Sequence, residues 1–278
     1  MPVLAARWLR RMRGGAQAQL IQASDGHHYV VKCKNNPQHP RILINEWLAS
    51  VALRYLGIQT PPATLVGLTE EFLAQNEDCR LQLGRSQVDI EPGWHFGSRF
   101  PGDPQLLAVF DFLPDALLDK VANIRDYLGA LVFDKWTSNA DARQSIFYRA
   151  NILHAPAGSP VEAGESGFVA SMIDNGFICD GPNWTFSDAP LQGLYHRRQV
   201  YQSVRGWENW EPWLDRVENF PDVIFDDAMK QIPSEWIAGD EGTVFRLCEQ
   251  LLSRRRKVRR FLEQTKDAGG INLFANWR

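Results

Sequence analysis

Lys32 closes the β-rich stretch Tyr29-Val-Val-Lys32, and Glu46 stands in the next segment, Arg41 to Leu56. Further along, Asp141 lies in the polar run Trp136-Thr-Ser-Asn-Ala-Asp-Ala-Arg-Gln-Ser145. Asp174 follows the apolar run Gly167 to Ile173 and precedes Asn175-Gly176-Phe177, and the pair Gly14-Gly15 precedes them all. Taken in this order, the residues supply what phosphoryl transfer needs. A lysine brings positive charge to the phosphates, one carboxylate orients an acceptor hydroxyl, another holds a bridging metal, and glycines allow close backbone approach. Lys32 at the end of a strand would point its ammonium into a cleft, where Glu46 could hold it. Asp141 falls in a loop between a helix and a strand, where functional groups concentrate. Asp174, leaving a buried strand for a glycine turn, is placed to hold Mg²⁺ on phosphate oxygens. Each feature has a plainer reading: unrelated surface charges for Lys32 and Glu46, a simple turn for Gly14-Gly15, a cap or turn for Asp141, a hairpin turn for Asp174.

The elements that would position these residues can be read from periodicity. Ala18–Ala23 and His28–Cys33 flank Ser24-Asp25-Gly26 and predict a hairpin. Apolar Ile42, Trp47, Leu48, Val51 and Leu56 recur at helical spacing over 41–56, with Gly57 as the stop and Pro61-Pro62 forbidding continuation. A strand is expected near Leu65-Val66. The Gly- and Pro-rich stretch 84–104 reads as a connector, dividing an N-lobe over 1–95 from a C-lobe over 96–278. Beyond it, 123–136 predicts a helix, 145–149 and 167–173 two strands joined by a loop, and 241–264 one long amphipathic helix. The last dozen residues read as a poorly fixed tail.

The segments GGAQAQLI (14–21), YVVK (29–32), NNPQH (35–39), NEWLA (45–49), FDKWTSNADARQSIFYR (133–149) and MIDNGF (172–177) together resemble the HipA-like kinase domain family in its compact bacterial branch. The resemblance runs from about Arg11 to Phe177 and more loosely beyond, with NEWLA and WTSNADARQ as its specific parts. It implies an α+β, protein-kinase-like bilobal fold with a small antiparallel-sheet N-lobe and a mainly helical C-lobe. It also implies Lys32 on the α/β phosphates paired with Glu46, Asp141 as catalytic aspartate, Asp174 as metal ligand, and Gly14 and Gly15 in the phosphate-covering loop. ATP and Mg²⁺ would be the cofactors, and a serine or threonine of a protein, or of the chain itself, the acceptor. The sequence departs from the family at one point. The asparagine that usually follows the catalytic aspartate as second metal ligand is replaced by Ile146; Gln144 or Asn139 could substitute, since an amide oxygen can ligate Mg²⁺. Arg143 stands where histidine is common. The alternative is therefore a pseudokinase, or a nucleotide-binding regulatory module acting through a protein partner.

The remaining composition narrows the class. A net charge of −3 and a pI near 6.1 give no electrostatic footprint for nucleic acid. The N-terminus lacks an apolar signal core, and no uncharged apolar run is long enough to span a membrane, so a cytoplasmic protein is expected. Cys33, Cys79, Cys179 and Cys248 lie far apart and suit reduced thiols. Adjacent His27 and His28 would point to opposite faces of a strand, and no Gly-x-Ser-x-Gly elbow occurs. Trp94 and Phe96 could line an adenine pocket or pack the connector. Trp184, Trp207, Trp210 and Trp213 read as core in preference to an aromatic substrate surface. The basic run from Arg254 to Arg260 reads as the solvated face of a helix, with a phosphate or acidic partner as the alternative.

Overall fold

The computed structural model describes residues 1–278, the side chains of 270–272 excepted. The N-terminal strands are β1 (Val3–Arg11), β2 (Gln19–Ala23), β3 (His28–Lys32), β4 (Ala63–Leu68), β5 (Arg80–Leu83), β6 (Ser86–Asp89) and β7 (Gly93–Arg99). Helix α1 (Arg41–Leu56) lies between β3 and β4, and the short α2 (Glu70–Gln75) between β4 and β5. The expected hairpin is present: β2 and β3 pair antiparallel from Gln19–Val31 to Gln22–His28, around a turn in which Gly26 takes φ +80°. The expected small antiparallel sheet is instead a closed barrel in the order β1-β2-β3-β7-β4, sealed where β1 runs parallel to β4 at Val3–Val66 and Leu4–Gly67. Closure removes the free edges that a five-stranded open sheet would expose. Inside the barrel lie Ile21, Tyr29, Val31, Cys33, Val66 and Leu68.

The connector expected over 84–104 is largely strand. β7 passes through the expected boundary at 95/96 and pairs with both β3 and β4, so that boundary would cut the barrel. Its glycines reflect packing: a Cβ at Gly97 would stand 2.5 Å from the Val66 side chain.

Helix α1 spans the predicted range and ends at Gly57 in the left-handed conformation, φ +73°, whose N–H caps the Arg54 carbonyl. It is buried on nearly every face, from Ile42 through Ser50, because the barrel covers one side and the C-terminal helices the other. Trp47 Nε1 donates to the Ala228 carbonyl at 3.1 Å. Arg41 forks onto Asp240, and Lys34 donates to Glu235 at 2.9 Å, so the far end of the chain ties down the approach to α1.

Beyond the barrel, β8 (Val109–Phe110), β9 (Gln144–Asn151) and β10 (Ser166–Ile173) form a second sheet in the order β10-β9-β8. Helix α3 (Asp126–Thr137) is buried from Tyr127 onward. There follow α4 (Trp213–Glu218), α5 (Asp222–Met229), α6 (Ser234–Ile237), α7 (Glu241–Arg254) and α8 (Val258–Leu273). The single helix expected over 241–264 is thus two, broken by a tight turn at Arg255–Lys257. The tail is also fixed, since Phe274 and Trp277 are buried against Trp210. Nor is the basic run a solvated face throughout. Arg254 is buried on Asp188, Arg255 reaches Asp222, and Arg259 holds Glu218 and Glu211. Trp184, Trp210 and Trp213 are buried in the core, and Trp207 packs half-buried against it. All four cysteines are buried free thiols. Among the described residues no helix is long and apolar enough to cross a membrane.

Candidate active site

Lys32 is the last residue of β3, and Glu46 sits in the second turn of α1. The chain that joins them folds so that the Lys32 ammonium donates to Glu46 Oε1 and, at 2.7 Å, to Asp174 Oδ1. Glu46 is almost wholly buried and its Oε1 also accepts the Asn175 N–H at 3.0 Å. Asp174 differs from it in keeping about a third of its side chain (37%) open to solvent. Burial alone would raise the Asp174 carboxyl, but the Lys32 ammonium, the nearby Arg143 guanidinium and Gln144 together hold it below its ordinary value. Burial likewise works against the Lys32 cation, yet Glu46 and Asp174 overcome it and raise its pKa.

Asp174 follows β10 directly, in a left-handed conformation, φ +58°. That conformation costs about 1–2 kcal/mol for a non-glycine residue and persists only where neighbours enforce it. Asn45, beside Glu46 on α1, is one such neighbour. Its Nδ2 donates to the carbonyls of Gly176 (2.7 Å), Gly181 (3.0 Å) and Ile178 (3.1 Å), while its Oδ1 accepts from Trp184 Nε1 at 2.9 Å. Sequence reasoning saw Asn45 only as part of NEWLA, without a role.

Asp141 occupies the loop between α3 and β9. Its Oδ1 accepts from the Ala142 N–H at 2.8 Å, and its Oδ2 accepts from Gln144 Nε2 at 3.3 Å. The preceding N–H, of Ala140, donates to the Phe177 carbonyl at 2.9 Å, which fastens this loop to the turn after Asp174. Lys32, Glu46, Asp141, Asp174 and Gln144 are therefore brought to one place. Asn139 is not available in the same way. It is buried, with Nδ2 on Asp134 Oδ1 at 2.9 Å and Oδ1 accepting the Asp141 N–H at 3.2 Å.

Gly14 and Gly15 lie in the turn between β1 and β2, both exposed, with Gly14 at φ +115°. A Cβ on Gly15 would come within 2.8 Å of Gln38 Nε2, so the turn lies against the segment that leads into α1. Phe96 is buried against α1, and half-buried Trp94 accepts at its carbonyl from Trp236 Nε1 at 2.8 Å.

Arg143 and Asp134 form a buried ion pair that sequence reasoning missed, although a carboxylate within Leu131-Val-Phe-Asp-Lys-Trp136 is a recognisable oddity. Nε donates to Asp134 Oδ2 at 2.8 Å and Nη2 to Oδ1. Nη1 donates to Asn175 Oδ1 at 2.7 Å and to the Ile173 carbonyl at 3.2 Å. A separate cavity of about 800 Å³ lies away from this cluster, where Arg54, Gln59, Pro61, Asp126, Ala150 and Val169 meet.

A lysine tied to two carboxylates on facing elements thus stands beside a further aspartate on an adjoining loop. The crystal structure of the Golgi casein kinase with Mn/ADP bound is similar with a TM-score of 0.50 at 12% identity, over 97% of this chain and 74% of that one. A second crystal structure of the Golgi casein kinase is similar with a TM-score of 0.49 at 12% identity over the same shares. No curated protein matches the sequence. The profile of the HipA-like kinases matches residues 6–159, more than half of the chain, and the chain belongs to that family. Its class is that of kinase-type phosphotransferases.

Proposed function

We propose that the protein is an ATP-dependent serine/threonine protein kinase, acting with Mg²⁺ on a protein or on itself. The observation that carries this reading is the Lys32 ammonium shared between Glu46 and Asp174, with Asp141 joined to the same cluster through Gln144. The barrel with α1 and the remainder from β8 onward would act as two lobes, with their division after Arg99. Lys32 would hold the α/β phosphates of the nucleotide, with Glu46 keeping the lysine in place. Gly14 and Gly15 would cover the phosphates. The donor set suits a hard cation: the oxygens of Asp174 and Gln144, the latter after a half-turn of its amide, complemented by phosphate. Among the described residues no three His, Cys, Asp or Glu side chains form a metal cluster, and Mg²⁺ held by one or two carboxylates and phosphates needs none. When bound, the ion neutralises charge developing on the transferred phosphoryl group. Asp141, with Oδ2 open apart from Gln144, accepts the proton of the acceptor hydroxyl and aligns its oxygen. Asn139 holds the loop rather than the ion. We place the protein in the cytoplasm.

The test is incubation of purified protein with Mg²⁺ and γ-labelled ATP, beside Asp141→Ala and Asp174→Ala. Label on protein or release of phosphate, lost in both variants, is the expected result. Ile146, at the position of the usual second metal ligand, favours a second reading as a nucleotide-binding pseudokinase. That reading holds if turnover is absent while ATP raises the Tm of the parent and not of Lys32→Ala. No response to nucleotide at all overturns both.

A further inference from the structure

We infer that Arg143 is a positioning residue for the phosphotransfer proposed above: its guanidinium sets the Asp141 loop and the Asp174 turn in register by anchoring both to Asp134 of α3. The geometry is specific. Two guanidinium nitrogens fork onto the two oxygens of Asp134, and the third reaches the residues on either side of Asp174, the Ile173 carbonyl and Asn175 Oδ1. The backbone of Arg143 belongs to the Asp141 loop itself and donates to the Leu194 carbonyl at 3.0 Å, beside the Gly193 N–H that donates to the Asp141 carbonyl at 3.0 Å. Asn139, the other residue on Asp134, accepts the Asp141 N–H.

Both members of the pair are wholly buried, with side-chain exposures of 1% and 0%. Burying two charges brings little net stability by comparison with apolar residues of the same volume. A planar fork does offer fixed direction, which a lysine or an amide cannot reproduce. Each guanidinium nitrogen of Arg143 donates either to α3, which leads into the Asp141 loop, or to the residues flanking Asp174. Arg255, by contrast, joins Asp222 to the Phe220 carbonyl at a distance from the cleft in sequence and in contacts. The residue that marks a departure from the family pattern is thus the one that links the two aspartate segments.

The inference rests on the phosphotransfer reading, and the experiment separates the two. Parent, Arg143→Lys, Asp134→Asn and the control Arg255→Gln are compared for ATP turnover across a Mg²⁺ titration, and for amide hydrogen exchange of 139–144 and 172–178 without nucleotide. Arg143→Lys keeps the charge and loses the fork. Its kcat is expected to fall about 10–100-fold and its Mg²⁺ midpoint to rise, with faster exchange in both segments, while Arg255→Gln loses stability without either kinetic change. Asp134→Asn is expected to follow Arg143→Lys in direction. Folded Arg143→Lys with parent kcat, Mg²⁺ midpoint and exchange overturns the inference. A parent without turnover defeats the phosphotransfer reading alone. Exchange then decides on Arg143: release of both segments in Arg143→Lys supports the link, and unchanged protection overturns it.

Discussion

The Lys32 ammonium stands 2.7 Å from Asp174 Oδ1 while it also holds Glu46, so one cation from the barrel joins α1 to the end of β10. Removing it leaves the Glu46 carboxylate buried with only the Asn175 N–H for company. Lys32→Met should therefore abolish turnover and lower stability by about 3 kcal/mol, the range found when a buried pair is broken. Adding Glu46→Gln should recover part of that loss, because the amide oxygen still accepts from Asn175 but carries no charge. Urea midpoints of the single and double variants check both statements, and equal midpoints would count against the account.

Gln144 and Asn139 should separate cleanly. Gln144→Ala removes an exposed side chain that bridges towards both aspartates, so the Mg²⁺ midpoint for turnover should rise about tenfold with little change in Tm. Asn139→Ala strips a buried bond from Asp134 and another from the Asp141 N–H, so it should cost about 1–3 kcal/mol in stability. A Mg²⁺ titration alongside thermal melts distinguishes them.

Asn45→Ala should loosen the turn that follows Asp174 although Asn45 does not touch Asp174 itself. Three carbonyls and the Trp184 indole N–H lose their partner in a buried place. A destabilisation of about 3 kcal/mol is expected, with a fall in kcat as Asp174 loses its supported left-handed turn. Chemical denaturation and steady-state turnover on the folded fraction measure the two effects.

Acid sensitivity should arise largely from one histidine. His95 is fully buried on β7, its Nδ1 accepting from the Lys34 N–H at 3.0 Å and its Nε2 without a partner. Burial chiefly, and the Lys34 cation next, depress it to about 4, with Glu235 opposing. The unfolded chain takes up this proton near pH 6.5 and the folded chain only near pH 4. The His95 contribution is therefore nil above pH 6.5 and lowers stability as pH drops through that window, by up to about 3 kcal/mol. Melts from pH 7 to pH 4.5 should show the decline in the parent and a flatter profile in His95→Gln.

The parts of the fold with a strong local period were legible: the β2–β3 hairpin, α1, α3, and the β9–β10 pair that carries Asp174. β1 was not, because Arg7, Arg10 and Arg11 and two register shifts against β2 break its alternation. β7 was hidden by Gly93 and Gly97, and Gly97 reflects a neighbour, Val66, that no local reading reveals. The tail read as loose because its burial depends on Trp210, far back in the chain. At the site, Lys32, Glu46, Asp141 and Asp174 were legible as an ordered set; the first two and Asp174 meet directly, and Gln144 links Asp141 to them. The Asp134–Arg143 pair was not legible, since the burial of both side chains and the reach of Arg143 to Ile173 and Asn175 come from tertiary packing.

The clamps of Arg41 on Asp240 and Lys34 on Glu235 carry a consequence for synthesis. A nascent chain that has emerged as far as Asp174 already contains every charged residue of the site, yet neither acidic partner that secures the approach to α1. Contacts between such distant residues reward the closure of long loops only once both ends exist. The centre should thus set only after Glu235 and Asp240 have been made, roughly sixty residues after Asp174.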